Sequence, residues 1–273
     1  MDKTIAFLGG GNMARSLIGG LLARGWRAQQ IVVADPMPAQ LDALRTQYAV
    51  RVTDDNAAAA READILVLAV KPQEMRRAAQ GIQPSIAGKR PLLISVAAGI
   101  RASDIQRWLP GIPVVRAMPN RPALQGCGMT GLFATTDVST ERRTQAEQIL
   151  GALGATLWLE HEQHMDIVTA VSASGPAYFF LLIEMLEQAG VAQGLSLEVS
   201  RRLAIETAYG SGAMARVASE SPAVLREQVT SKGGTTAAAL QVLEERGVRE
   251  AFDAAVAAAT RRAAELADEF GAG

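Results

Sequence analysis

The 273-residue chain has little of several residue types on which common kinds of site depend. It contains one cysteine, Cys127, and therefore no internal disulfide, which is typical of a reducing compartment; we expect a buried small hydrophobe. Its two histidines, His161 and His164, lie three positions apart, but no cysteine or acidic constellation accompanies them, so we predict no metal site. The 27 basic and 28 acidic residues nearly cancel, which argues against broad binding to nucleic acid.

Long uninterrupted apolar runs are also scarce. The uncharged residues 167–183 fall short of the roughly 20 that a membrane-spanning helix needs, and Ser174, Gly175 and Pro176 interrupt them. The N-terminal MDKTIAFLGG is too short in apolar residues for a signal peptide. We therefore expect a cytoplasmic protein in which residues 167–183 form a buried helix of an oligomer core.

What is present is an alternation of short apolar runs and helical patterns over the first 160 residues. Nearly continuous apolar runs are typical of parallel strands covered on both faces, so the pattern predicts a doubly wound α/β domain with a mostly parallel sheet. The predicted strands are Thr4–Leu8, Ile31–Ala34, Ile65–Ala69, Leu92–Val96 and Val114–Ala117, with weaker ones at Met129–Ala134 and Thr156–Leu159.

Beyond residue 160 the strand signal stops and long helical patterns follow. We therefore predict two domains, an α/β domain of residues 1–162 and an all-α domain of residues 163–273. The predicted helices of the second domain are Met165–Ala173, Ala177–Ala192, Glu198–Ala218, Pro222–Val229, Thr236–Arg246 and Val248–Phe270.

A glycine loop, Gly9-Gly10-Gly11-Asn12-Met13-Ala14, follows the first strand and opens a helix. In this G-x-G-x-x-A pattern Gly9 allows the tight turn, Gly11 lets the backbone approach a pyrophosphate, and Ala14 lets the helix pack closely on the strand. The free N–H groups of the helix favour phosphates. The loop predicts dinucleotide binding; the alternative is a merely structural glycine turn.

Two further strand ends lie at the same edge of the sheet, where ligands bind in this fold. Asp35 ends the second strand, where a carboxylate suits the ribose hydroxyls of adenosine and repels a 2′-phosphate. Because no arginine follows until Arg45, this favours NADH over NADPH; alternatively, Asp35 caps the turn before Pro36. Ala69-Val70-Lys71-Pro72 ends another strand, and Lys71 either approaches the cofactor or is a solvated lysine that starts a helix.

Seven segments in order span nearly the whole chain: FLGGGNMA at Phe7–Ala14, Asp55-Asn56, LAVKPQ at Leu68–Gln73, SVAAGI at Ser95–Ile100, VVRAMPN at Val114–Asn120, SASGPAYFF at Ser172–Phe180 and QVTSKGGTT at Gln228–Thr236. Together they resemble the Δ1-pyrroline-5-carboxylate reductase family. The resemblance implies a Rossmann domain followed by a helical dimerisation and substrate-binding domain. It also implies hydride transfer from NADPH or NADH to the C=N carbon of pyrroline-5-carboxylate, giving L-proline, in a dimer or larger oligomer.

The resemblance also implies the site residues. Thr236 would be the catalytic residue, its hydroxyl contacting the ring nitrogen, while Asn120 would line the substrate region. Donors to the substrate carboxylate would be Ser231, Gly234 and Thr235, in a loop whose glycine pair exposes N–H groups before a helix. The cofactor would be bound by Leu8, Gly9, Gly10, Gly11, Asn12, Met13, Asp35, Asn56, Ala69, Val70, Lys71, Pro72, Ala97, Ala98 and Gly99.

Two positions depart from the family pattern. Arg121 stands where a small residue is usual, and either contacts the substrate carboxylate or cofactor or points to solvent. Lys232 replaces a proline and adds a cation near the carboxylate site, unless it is an ordinary surface lysine. The charge balance and the absence of an aromatic-basic motif argue against a nucleic-acid partner, and we expect no membrane partner.

Two other functions remain open on the sequence. A β-hydroxyacid dehydrogenase shares the overall plan, but its catalytic lysine is expected on the long helix after the domain boundary, and residues 171–190 contain none. A nucleotide-sensing or dimerisation module would keep the fold without catalysis; the intact Ser231–Thr236 loop argues against it. Cofactor binding without turnover would identify such a module.

Overall fold

The computed structural model describes residues 3–271, and their contacts divide them into two units. One unit comprises the residues up to Ala173 together with those from Ala259 onward, and the other comprises Ser174–Ala258. These units differ from the predicted domains, which are residues 1–162 and 163–273. Residues 1–2 and 272–273 of those predicted domains lie outside the described part of the chain. The difference arises because the segment before Ser174 and the end of the last helix pack with the sheet.

The first unit is built on an eight-stranded sheet of order β3-β2-β1-β4-β5-β6-β7-β8, in which only β6 and β7 are antiparallel. The predicted strands are all present. The short edge strand β3 was not predicted, because its sequence, Arg-Val-Thr, is no apolar run and its first residue is exposed. The strands are β1 (Ile5–Leu8), β2 (Ile31–Ala34), β3 (Arg51–Thr53), β4 (Ile65–Leu68), β5 (Leu92–Ser95), β6 (Val114–Pro119), β7 (Gly128–Ala134) and β8 (Gly154–Trp158).

Helices cover the sheet, and successive strand residues face opposite cores. Ile5 and Phe7 belong to one buried cluster, while Ala6 and Leu8 belong to the other, as expected for a doubly wound sheet. The helices around the sheet are α1 (Asn12–Ala23), α2 (Pro38–Tyr48), α3 (Asn56–Glu62), α4 (Pro72–Ile86), α5 (Ala102–Trp108) and α6 (Thr140–Leu150).

The second half is helical, as predicted, with one break. The predicted helix Met165–Ala173 is an α-helix only to Val168 and continues as a π-helical turn, Thr169–Ala173. π-helical turns are often found at functional sites. The helices are α7 (His164–Val168), α8 (Gly175–Ala192), α9 (Leu197–Val217), α10 (Pro222–Gln228), α11 (Thr235–Glu245) and α12 (Val248–Gly271).

Few side chains of the helical unit Ser174–Ala258 are buried in the single chain. Within it, the only side chains buried are those of Ser200 and Ala204, although α8 and α9 pack closely. Gly190 is needed at this crossing, since a Cβ there would lie 2.7 Å from the Ser200 hydroxyl oxygen. An 85-residue unit with so few buried side chains lacks a core of its own.

The apolar stretch is longer as a helix than its sequence predicts. His164–Ala192 is one helical segment of 29 residues with a mean hydropathy of 1.5 in its most apolar part, of which 11% is buried in this chain. By length and composition alone it could cross a membrane. The prediction that residues 167–183 are too short to span a membrane is therefore wrong, because the helix that contains them is long enough to do so.

Candidate active site

The glycine loop has the geometry that its sequence predicts. Gly9 adopts a left-handed φ of 99°, and a Cβ there would lie 2.6 Å from the Ala69 carbonyl oxygen, so only glycine fits between β1 and β4. Gly11 is the N-cap of α1, and apart from its chain neighbours no atom of residues 3–271 lies within 4 Å of the position its Cβ would occupy. No side chain caps α1, so its first N–H groups face open space beside Gly11. This cradle fits a pyrophosphate.

Asp35 is buried directly behind the loop. Its Oδ2 accepts a hydrogen bond from the Gly10 N–H at 2.8 Å, and its Oδ1 accepts one from the Met37 N–H at 2.9 Å. Asp35 therefore holds the glycine loop and the start of the β2–α2 turn together, which bears out the capping alternative as a local role. Each carboxylate oxygen keeps a second lone pair, so a ribose hydroxyl can still donate to it.

A cavity of about 460 Å³ opens along the carboxyl ends of β1, β2 and β4. It brings together seven of the predicted cofactor residues, namely Gly9, Gly11, Asp35, Asn56, Ala69, Val70 and Lys71. Leu8 does not line it and is fully buried inside the sheet. The remaining predicted cofactor residues, which are also absent from its lining, are Gly10, Asn12, Met13, Pro72, Ala97, Ala98 and Gly99.

The loop after β5, which carries Ala97, Ala98 and Gly99, is supported by the end of α12. Ala98 is exposed, whereas Gly99 has a left-handed φ of 71° and a Cβ there would lie 2.9 Å from the Phe270 ring. Arg107 donates to the Gly271 carbonyl oxygen at 2.6 Å. The sequence contains no local signal for this support, because the two segments are about 170 positions apart.

A buried ion cluster fixes the other side of that loop. Arg116 on β6 is almost fully buried and donates to Glu162 Oε1 at 2.9 Å, and the same oxygen accepts from the Ala102 N–H at the start of α5. Asp166 Oδ1 lies 4.0 Å from Arg116. Burial raises the pKa of Asp166 above its ordinary value, and the Arg116 charge opposes that shift.

Asn120 uses both ends of its amide inside the protein. Its Nδ2 donates to the Ser172 carbonyl oxygen at 3.1 Å, and its Oδ1 accepts from the Met129 N–H at 2.9 Å. It therefore ties the end of β6 to the start of β7 and to the π-helical turn before α8. The neighbouring Arg121 is exposed.

The predicted substrate loop lies in the helical unit. α11 begins at Thr235 with Gly234 as its N-cap, and no side chain caps it. Gly233 has a left-handed φ of 72°, and the Gly234 N–H donates to the Ser231 carbonyl oxygen at 3.0 Å. Thr236 is half-buried in the first turn, whereas Ser231, Lys232 and Thr235 are exposed. The loop thus presents hydroxyls and free helix N–H groups together, as a carboxylate requires.

Two minor predictions concern Cys127 and the two histidines. Cys127 is exposed on the loop before β7, so the prediction of a buried small hydrophobe is wrong; its thiol lies 3.6 Å from the Pro122 carbonyl oxygen. His161 and His164 stack edge to face, with ring centroids 5.5 Å apart. Within residues 3–271 no group of three or more histidine, cysteine or acidic side chains is arranged to hold a metal ion.

Comparison with known proteins agrees with both halves of this description. Residues 162–266 match the family model for pyrroline-5-carboxylate reductase dimerisation, and residues 4–99 match that for coenzyme F420-dependent NADP oxidoreductases. The pyrroline-5-carboxylate reductases of Pseudomonas aeruginosa and Haemophilus influenzae are 46% and 40% identical to the chain. The first alignment covers 98% of both chains, and the second covers 98% of this chain and 99% of the relative.

Solved structures give the same picture. A pyrroline-5-carboxylate reductase from Coxiella burnetii is 38% identical with a TM-score of 0.94, over 97% of this chain and 99% of that one. The pyrroline carboxylate reductase of Plasmodium falciparum, solved with NADP bound, is 28% identical with a TM-score of 0.85, over 97% and 98%.

Proposed function

The chain belongs to the pyrroline-5-carboxylate reductase family, and on that premise we propose that it reduces Δ1-pyrroline-5-carboxylate to L-proline. The structural observation that carries the proposal is the loop before α11, where hydroxyl groups and uncapped helix N–H groups stand together. A bound nicotinamide dinucleotide supplies the hydride that the C=N carbon receives. The imine nitrogen gains a proton, so the product is a secondary amine.

The chain's own residues bind and orient the substrate. We assign the substrate carboxylate to the Ser231 and Thr235 hydroxyls at the positive end of α11. The predicted donor Gly234 contributes by shaping the turn, since its N–H already donates to the Ser231 carbonyl oxygen. The Thr236 hydroxyl, one position after Thr235 along the helix, then contacts the ring nitrogen. Because an imine is already electrophilic, the site needs no strong nucleophile, which agrees with the absence of one in this loop.

We propose that Asn120 positions backbone segments around the substrate and does not contact the substrate itself. Since its amide is engaged with Ser172 and Met129, it shapes the substrate region by positioning the turn before α8. Ala97, Ala98 and Gly99 form the nicotinamide side of the cofactor site, held in place by Phe270 and the cluster around Arg116.

The direct test follows the absorbance of NADH and NADPH in parallel with pyrroline-5-carboxylate as substrate. Turnover with either dinucleotide supports the proposed function. A folded protein that binds dinucleotide but turns over with neither would contradict it, and would support the sensing-module alternative.

We propose that Asp35 makes NADH the preferred dinucleotide, because its carboxylate repels a 2′-phosphate. Asp35→Ser is expected to raise the ratio of kcat/KM for NADPH to that for NADH at least about tenfold. The control is Asp42→Ser, which removes an exposed carboxylate of α2 that pairs with Arg45. An unchanged ratio in Asp35→Ser would remove the ribose assignment.

The helical unit is proposed to complete its core with a second copy of the chain. Large apolar side chains of α8 are left open to solvent in the single chain, with Phe179 64% and Phe180 60% exposed. Burying such side chains is the main driving force of stable association. A cytoplasmic location, with no metal, nucleic-acid or membrane partner, belongs to the same proposal.

Phe180→Asp is expected to raise the dissociation constant of the oligomer at least about hundredfold, because a carboxylate would have to be buried without a partner. Gln188→Glu places the same charge at an exposed polar position of α8 and is expected to leave association unchanged. Sedimentation velocity over a concentration series measures both. Equal sedimentation of the two variants would show that this part of α8 lies outside the interface.

A further inference from the structure

Arg15 lies where the glycine loop meets the start of α2. Its Nη2 donates to the Gln40 side-chain oxygen at 2.6 Å, and its Nε donates to the Gly10 carbonyl oxygen at 3.3 Å. The N–H of the same Gly10 donates to Asp35. Arg15 and Asp35 therefore contact one residue of the loop through its two backbone polar groups, in the corner at the end of β2.

The charge of Arg15 is not neutralised within the part of the chain that the structure describes. Its two hydrogen-bond partners are a carbonyl oxygen and an amide oxygen, and no carboxylate lies within ion-pair distance of it there. Nearby arginines differ in this respect, because Arg45 pairs with Asp42 and Arg77 pairs with Glu74. The guanidinium keeps N–H groups for a further acceptor, and its planar geometry suits a phosphate.

The position of this corner indicates which phosphate it would bind. In this fold the adenosine ribose lies at the end of β2, and the pyrophosphate lies at the start of α1. Lys71 is at the end of β4, on the other side of β1 from β2. Gln40, which Arg15 contacts, lines the same cavity as Asp35, so the phosphate that would lie nearest to Arg15 is the ribose 2′-phosphate, the group that distinguishes NADPH from NADH.

We infer that Arg15 is a specificity-determining residue that binds the 2′-phosphate and so keeps NADPH usable despite Asp35. The inference rests on the proposed function for the dinucleotide. Asp35 opposes the 2′-phosphate and Arg15 attracts it, so their balance sets the preference. The two backbone N–H groups that Asp35 accepts already offset part of its negative charge.

The test compares binding of adenosine 2′,5′-bisphosphate and adenosine 5′-monophosphate by titration calorimetry. Arg15→Ala is expected to weaken binding of the bisphosphate about tenfold, as for loss of a charge-assisted hydrogen bond, and that of the monophosphate by less than about twofold. Arg45→Ala, which removes the first arginine after β2, is expected to change neither. In turnover, Arg15→Ala should lower kcat/KM for NADPH and spare that for NADH.

Gln40→Glu separates this role from damage to the loop. It leaves Arg15 in place but gives it a carboxylate partner, so binding of the bisphosphate should weaken while binding of the monophosphate is kept. Equal weakening of both nucleotides in Arg15→Ala, or no effect of Gln40→Glu, would overturn the inference, as would a wild-type protein that binds neither nucleotide. Nucleotide binding without turnover of pyrroline-5-carboxylate would contradict the proposed function alone.

Discussion

Thr236→Ala is expected to lower kcat about hundredfold while leaving the affinity for the dinucleotide unchanged. The Thr236 hydroxyl is half-buried in the first turn of α11 and makes no hydrogen bond within residues 3–271, so it is available to the substrate nitrogen. In the proposed reaction this hydroxyl would contact the nitrogen more strongly as hydride reaches the carbon and the nitrogen gains its proton. Steady-state kinetics together with direct NADH and NADPH binding separates the two effects.

The neighbouring threonine provides the matched control. Thr235→Ala removes a proposed carboxylate donor, so it is expected to raise KM for pyrroline-5-carboxylate more than it lowers kcat. Thr236→Ser restores the hydroxyl and is expected to recover most of the turnover. If Thr236→Ala turns over at the wild-type rate, Thr236 is not a catalytic residue.

Gly11→Val is expected to weaken dinucleotide binding at least about hundredfold without lowering the melting temperature. Gly11 has an ordinary φ of −71°, and the position that a Cβ would occupy is open, so we expect valine to cause little strain in the free protein. That same space is where a pyrophosphate would approach the backbone. Calorimetric titration with NADH and a thermal melt of the free protein measure the two quantities.

Gly9→Ala is the contrasting variant in the same loop. Its left-handed φ alone costs alanine about 1–3 kcal/mol of stability, and the added Cβ would also collide with the Ala69 backbone. We therefore expect Gly9→Ala to lower the melting temperature, whereas Gly11→Val does not. A fall in stability for Gly11→Val as large as that for Gly9→Ala would show that the loop is a structural turn rather than a phosphate cradle.

The site could be predicted wherever one short segment builds it. The glycine loop needs only a strand, a left-handed glycine and a helix start, all of which lie within residues 5–14. The Ser231–Thr236 loop was recognisable through its resemblance to the family motif, because the motif QVTSKGGTT at Gln228–Thr236 is one continuous segment. Where the role of a residue depended on contacts with distant residues, the sequence either did not predict that role or predicted it wrongly.

Asp35 and Arg15 illustrate that limit. Along the chain no arginine follows β2 until Arg45, which is exposed and paired with Asp42, and this favoured NADH. The cation that the fold brings to this corner is Arg15, 20 positions before Asp35, because α1 runs beside α2. A cofactor preference argued from Asp35 alone therefore omits the positive charge that we infer to oppose it.

The parallel sheet, the glycine loop and the change to helices could be predicted from the sequence, because apolar periodicity, glycine conformation and helix caps act over a few residues. Which side chains share a site depends instead on how distant segments pack. Examples of such contacts are those of Phe270 with Gly99, of Glu162 with Arg116 and of Arg15 with Gln40. Contacts between distant segments follow from strand order and helix packing, and these are set by the burial of the whole chain.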